Sequence, residues 1–235
     1  MEIVMTPRIA TTEEWMKARE ALLMAEKAFT HERDALSARR REMPWLRIDE
    51  DYVFTGPDGE QSLSDLFNGR SQLIVYHLMF APEWDWACKS CSFWADQFDG
   101  AIPHLNARDT SFVAISRAPL EKLQKHAKRL GWKFPWLSAE KNRFAFDMGF
   151  SFAADDASGV YNFKPKQPGP TDLPGFSMFI RGDHGAIYKT YNIQGRGQDI
   201  TNGAYNMLDF TAKGRDESDR PTMKWVKLHD EYGAA

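Results

Sequence analysis

The sequence predicts an α/β fold, a central mixed sheet flanked by helices, from three observations. First, Leu73 to Phe80 is nearly continuous in apolar and aromatic residues, the character of a strand covered on both faces. Second, Ser111 to Ser116 repeats that character after a helical stretch, so the two strands form a parallel pair through a right-handed crossover. Third, Ser177 to Arg181 and Ala186 to Tyr191 flank Gly182-Asp183-His184-Gly185 and read as a hairpin. Both cysteines of the chain, Cys88 and Cys91, lie between the first two strands, so any thiol chemistry is concentrated there.

In chain order, Thr11-Thr12-Glu13-Glu14 is a helix start. Thr11 can cap the amide of residue 14 while the Glu14 side chain reaches back. A long helix comes next, with Trp15, Ala18, Leu22, Ala25, Phe29 and Leu36 at near-helical spacing until Pro44 stops it at Met43. Arg39-Arg40-Arg41 suits its last turn, where the helix dipole favours cations. Leu46-Arg47-Ile48 and Tyr52-Val53-Phe54 are short alternating segments that, with the turn Gly56-Pro57-Asp58-Gly59, read as a hairpin. Ser62 to Phe67 suits a helical turn closed by Asn68-Gly69.

A helix should come after the cysteines and end at Gly100 and Pro103. After the second strand, Pro119 fits a first helical position, with Leu120, Leu123, Ala127 and Leu130 as the apolar stripe and Gly131 as the stop. The region of about 132–175 reads as an insertion. It holds the aromatic Phe134-Pro135-Trp136, a turn at Asp155 to Gly159, and four prolines between Lys164 and Gly175. Met207-Leu208-Asp209-Phe210 and Trp225-Val226 should pack back on the core. The expected organisation is a helical extension over 1–45 and one domain over 46–235.

A chain of 235 residues, 43% hydrophobic, is long enough for one large core. Its net charge of −3 comes from well-mixed acids and bases, which gives no global pull toward nucleic acid or anionic membrane. No apolar run approaches the roughly 20 residues of a membrane span, and Met1 to Ala10 lacks the apolar core of a secretory signal, so a cytoplasmic location is expected. In that reducing setting a pair of cysteines is expected to be catalytic, redox-sensing or metal-binding.

A thiol at a helix N-terminus faces unpaired amides and the positive end of the dipole, which stabilises its thiolate; Cys88 has that position. Cys91 lies on the same face one turn on, within reach of a disulfide. The expected cycle is attack by Cys88 on a disulfide or peroxide and resolution by Cys91, with an unknown thiol as electron donor. Lys89 adds to thiolate stabilisation, and Glu83 and Asp85 oppose it. Trp84, Trp86, Phe93 and Trp94 shape either a substrate groove or the core rim. Arg117, at the C-terminal end of the second strand, lies on the edge where open α/β sheets bind ligands, as a substrate contact or half of an ion pair.

His77 reads as a core histidine. Zinc would need His77, His104 or acids to join the cysteines, and neither a metal nor a cofactor is expected. Gly195-Arg196-Gly197 has Ile200 where a dinucleotide fingerprint has its third glycine. The competing reading is a non-enzymatic redox-sensing or binding module. The long first helix suggests a homodimer, which a monomer mass by light scattering would exclude.

The residues Tyr76-His77-Leu78-Met79-Phe80, Cys88 and Cys91 with Ser92-Phe93-Trp94-Ala95-Asp96, and Ser116-Arg117-Ala118-Pro119 carry a resemblance. So do Pro44-Trp45, Gly56-Pro57-Asp58-Gly59, Gly131-Trp132, Phe134-Pro135-Trp136 and Gly195-Arg196-Gly197. The chain resembles the thioredoxin-like proteins catalogued as domain-of-unknown-function family 899, also labelled predicted dithiol-disulfide oxidoreductases. The resemblance implies a thioredoxin-like sheet and thiol-disulfide chemistry. Phe80-Ala81-Pro82 is similar to the approach to the cysteine in peroxiredoxins, although Asp85 stands where that pattern has Thr or Ser. Thioredoxins have a proline just before the strand facing the cysteines. Phe176-Ser177 is expected in that neighbourhood here, with Pro174 a little early.

Overall fold

The computed structural model describes residues 8–153, 156, 158–166, 169, 171–217 and 222–233. The chain divides into two compact units, residues 1–44 and 45–235. The first is built on helix α1, Thr12–Arg41, which at about 1.5 Å per residue is roughly 45 Å long. Its N-terminus has the expected capping box: Glu14 N–H donates to Thr11 Oγ1 at 3.2 Å, and Thr11 N–H donates to Glu14 Oε2 at 2.9 Å. Arg39, Arg40 and Arg41 form its last turn.

The second unit runs β1 (Leu46–Ile48), β2 (Val53–Gly56), β3 (Gly59–Ser62), β4 (Gln72–His77), α2 (Lys89–Ala95), α3 (Phe98–Asn106), β5 (Thr110–Ser116) and α4 (Leu120–Leu130). It continues with β6 (Trp136–Ser138), α5 (Phe144–Asp147), β7 (Val160–Tyr161), β8 (Lys164–Pro165), β9 (Gly175–Arg181), β10 (Ile187–Gln194) and α6 (Gly203–Leu208). Eight strands form one mixed sheet in the order β1-β10-β9-β4-β5-β6-β2-β3. Strands β4, β5 and β6 are parallel; β9 is antiparallel to β4, and β10 to β9. This is the expected thioredoxin-like sheet flanked by helices.

Alternation along the central strands separates two cores. Tyr76, Phe112, Ala114 and Phe176 face one side with Trp94, Phe98 and Leu123 from α2, α3 and α4. Leu73, Val75, Val113, Ile115 and Phe179 face the other, with Phe54, Phe67, Phe144 and Phe150. Because β4 is buried on both faces, its sequence is apolar from Leu73 to Tyr76.

Four local expectations are corrected. The hairpin of the early region is β2–β3, closed around Pro57-Asp58, whereas β1 crosses to the far edge and pairs with β10. A three-residue strand with little burial has no local signal for its partner. The chain does not leave helix at Gly100 or Pro103, because α3 contains both. Internal proline costs about 3 kcal/mol. Opposing that cost, Phe98 is buried against Phe112, Tyr76 and Phe134 at ring-centroid distances of 4.6, 5.0 and 5.6 Å.

The region expected as an insertion begins inside the sheet. Trp136–Ser138 pairs with Ala114–Ser116, and the small β7–β8 ladder lies outside the main sheet. Asp155, in the turn expected at Asp155 to Gly159, lies outside the described residues. Finally, Pro119 is the cap residue of α4, one position before the helix, while Gly131 closes it at φ 68° as expected.

Candidate active site

Strand β4 delivers the chain to the site, and backbone bonds hold the segment between its end and the cysteines. Leu78 N–H donates to Ile115 O at 3.0 Å, Cys88 N–H to Met79 O at 3.0 Å, and Ala118 N–H to Phe80 O at 2.8 Å. Lys122 Nζ donates to Pro82 O and Trp84 O at 2.8 and 2.7 Å, so a cation at the start of α4 fixes the loop before the cysteines. Cys88 is the cap residue of α2, and its carbonyl accepts from Ser92 N–H at 2.9 Å. Cys88 is half-buried and Cys91 is buried; both are free thiols.

The two thiols are held in opposite states. Cys88 ionises at about 6, well below the ordinary 9.0, first because the Cys91 thiol donates to it. The nearby amides of Cys91 and Ser90 act in the same sense, and together these influences outweigh burial. Cys91 is pushed well above 9.0, first by burial and then by its neighbour Cys88. The arrangement therefore favours a thiolate at the helix start, beside a buried thiol one turn deeper.

Both cysteines line a cleft of about 320 Å³, the lower end of the range for small-molecule sites. Its walls are Tyr76, Met79, Trp94, Leu173, Pro174 and Met223, with Ser90, Gly195, Arg196, Gln198 and Asp199 toward the rim. Pro174 immediately precedes β9, which starts at Gly175, so the proline is not early. It stands directly before the strand that faces the cysteines. Tyr161 holds that wall: its hydroxyl donates to Pro174 O at 2.6 Å and accepts from Gly195 N–H at 2.8 Å. Burial raises the Tyr161 ionisation to about 12, so it remains a hydroxyl.

Helix α2 is tied down from above. Trp94 Nε1 donates to Gln198 O at 3.2 Å and Thr201 Oγ1 at 3.1 Å. The ring of Phe93 packs edge-on against Tyr205 and Trp225. A single carboxylate oxygen, Glu217 Oε1, accepts from Tyr205 OH, Met223 N–H and Trp225 Nε1 at 2.9, 2.9 and 2.7 Å. Val226 and Leu228 are buried, and Asp96 at the end of α2 accepts from Trp132 Nε1 and meets His229 Nδ1.

The other residues singled out from sequence lie outside this cleft. Trp86 is 40% exposed and covered by Lys125 Nζ and the Arg129 guanidinium at 5.2 and 4.9 Å from its ring. Lys89, the first residue of α2, is exposed, as are Glu83 and Asp85. Arg117 donates to Asp172 at 2.7 Å and to Thr171 at 3.2 Å, a partly buried ion pair. Asp172 also accepts from Ser151 at 2.9 Å; burial raises its ionisation, opposed by Arg117.

His77 is buried, stacked on Phe150 at 3.8 Å, and meets Ser177 Oγ at 2.9 Å. Burial lowers its ionisation to about 3, so it is a neutral core histidine. Among the described residues no three His, Cys, Asp or Glu side chains converge as a metal site, and no helix is long and apolar enough to cross a membrane. Leu173, Gln198 and Met223 were not legible as site residues, since they come from segments joined to the cysteines only by tertiary packing. Pro174 carried a signal, a proline at the start of a strand.

No curated protein matches the sequence. Among solved structures, the chain is similar to peroxidoxin BcpB from Mycobacterium tuberculosis, at 16% identity and a TM-score of 0.44 over 68% of this chain and 92% of that one. It is also similar to a cysteine-to-serine mutant of PrxQ from Xylella fastidiosa, at 14% identity and a TM-score of 0.40 over 66% and 89%. A putative thiol:disulfide interchange protein DsbE from Chlorobium tepidum gives 14% identity and a TM-score of 0.40 over 70% and 94%. Residues 4–232 match one family over nearly the whole chain, and the protein belongs to it: the family described as bacterial protein of unknown function, DUF899.

Proposed function

We propose that the protein is a thiol-disulfide oxidoreductase in which Cys88 is the nucleophile and Cys91 the resolving thiol. The observation that carries this reading is the placement of the pair, Cys88 half-buried at the start of α2 and Cys91 buried one turn on, both free and lining one cleft, with their ionisations pushed in opposite directions. A reactive thiol needs a stabilised thiolate and access, and its resolver needs proximity and protection until it is required. The Cys88 thiolate attacks one sulfur of the substrate disulfide, forms a mixed disulfide and expels the other sulfur as a thiolate. Cys91 then loses its proton, attacks Cys88 Sγ and expels the second substrate thiolate. The pair leaves as a disulfide, two electrons have passed to the substrate, and an external thiol reductant restores the dithiol.

The test exposes the reduced protein to an excess of a small disulfide and, separately, an organic hydroperoxide, each with an added thiol reductant. Turnover of the disulfide with formation of the Cys88–Cys91 bridge is expected. Cys88→Ser should abolish it, and Cys91→Ala should stop at the mixed disulfide. Turnover confined to the hydroperoxide would move the activity to peroxide reduction. One oxidation without turnover on either would leave a redox-sensing module. Undiminished turnover by Cys88→Ser would remove Cys88 as the nucleophile.

A further inference from the structure

The resolving step poses an electrostatic problem that the cysteines do not solve alone. Cys91 is only 2% exposed, so when it gives up its proton the charge appears where water does not reach. A buried anion needs hydrogen bonds from fixed donors. Trp94 is in the cleft, but its N–H is already shared between Gln198 O and Thr201 Oγ1. Tyr76 lies beneath the first turn of α2, fully buried on β4 between Ala114 and Phe176 of the neighbouring strands. Its ring is fixed edge-on against Phe98 at 5.0 Å and tilted against Phe176 at 4.6 Å, leaving only the hydroxyl free to turn. That hydroxyl donates to the Cys91 carbonyl at 3.4 Å, a long bond at the limit of the range and therefore cheap to give up.

We propose that the Tyr76 hydroxyl is the donor for the resolving step, turning from the Cys91 carbonyl to Cys91 Sγ as that thiol becomes a thiolate. The inference rests on the thiol-disulfide reading and assigns a residue to its second half. After the first attack Cys91 gives up its proton to a base of the surrounding buffer. Cys91 Sγ then bonds to Cys88 Sγ, the bond from Cys88 to the substrate breaks, and its electron pair leaves on the substrate sulfur as the second thiolate. Tyr76 keeps its own proton throughout. Burial, and after it the nearby cysteine sulfurs, hold its ionisation well above the ordinary 10.0, so it remains a donor while a charge forms beside it. A hydroxyl bond to Cys91 acts in the sense that favours the Cys91 thiolate.

The experiment uses the reduced full chain and an aromatic disulfide whose released thiolate is coloured. In the wild type a first release reports attack by Cys88 and a second reports resolution by Cys91. In Tyr76→Phe the first release and the alkylation midpoint of Cys88 should be unchanged. The second release should slow about tenfold or more, the scale of one hydrogen bond to a charged group, with its pH midpoint moved up. A fluorinated tyrosine at position 76, a stronger donor of the same shape, should speed the second release, which a purely packing role would not do. A Tyr76→Phe protein with the wild-type second release and midpoint, or with both releases slowed alike, overturns the proposal. A wild-type protein that shows only the first release overturns the disulfide cycle itself.

Discussion

Cys88 and Cys91 occupy neighbouring turns of one short helix, yet burial and hydrogen bonding push their ionisations in opposite directions. Because the Cys91 thiol is the first cause of the low Cys88 value, Cys91→Ala should raise the pH midpoint of Cys88 alkylation from near 6. An unchanged midpoint would assign the shift to the helix amides alone. A lowered folded-state value also means that, between about 6 and the ordinary 9.0, the folded chain has released a proton the unfolded chain retains. The contribution of Cys88 to stability is therefore full above 9.0, shrinks as pH falls from there and is gone by about 6. Arg117 illustrates a different kind of residue. With Asp172 nearly buried beside it, Arg117→Met leaves a carboxylate without its cation and should cost about 3–5 kcal/mol. Denaturant titration measures this, and adding Asp172→Asn should recover part of the loss. The cysteine pair was legible because the chemistry is local and both residues lie in one motif. The roles of Tyr76 and Glu217 depend on how strand, helix and C-terminal segment pack, and no residue pattern beside them announces those contacts.

At the scale of elements, the buried strands and α4 were legible because their signals are strong and local. An apolar run covered on both faces, a stripe at helical spacing and a closing glycine each have one straightforward reading. Where tertiary burial opposed local preference, burial won. The aromatic contacts of Phe98 keep α3 helical through Pro103, and pairing with β5 makes a strand of three residues after Pro135. The start of β9 is the most constrained point. A Cβ on Gly175 would lie 2.2 Å from the Ile193 carbonyl oxygen and 2.3 Å from the Phe150 ring. That carbonyl belongs to β10, which the ladder holds in place, so relief requires moving backbone. Gly175→Ala should therefore destabilise by about 3 kcal/mol or more and lower the thermal midpoint. A midpoint within a degree or so of the wild type would show that β9 and β10 can separate there at little cost.

For the molecule as a whole, the mixed sheet makes two cores, and each contains a histidine that folding keeps neutral. His77 is lowered to about 3 and His126 to about 4, both chiefly by burial. The unfolded chain takes up these protons near 6.5 and the folded chain does not. Stability should therefore fall as pH drops from about 6.5 toward 4, by up to roughly 1.4 kcal/mol per pH unit for each histidine. Denaturant midpoints across that range test the slope, and His126→Asn or His77→Asn should reduce it. The composition of the cleft also sets the order in which a ribosome supplies its parts. Strands β4, β5, β9 and β10, both cysteines and Pro174 emerge before Met223, the residue of the cleft wall furthest along the chain. A growing chain thus carries its thiol pair for some time with one side of the cleft missing, and Val226 and Leu228 must still dock before α2 is held from above. During synthesis, then, the Cys88 sulfur exists before the full set of walls that line the cleft around it.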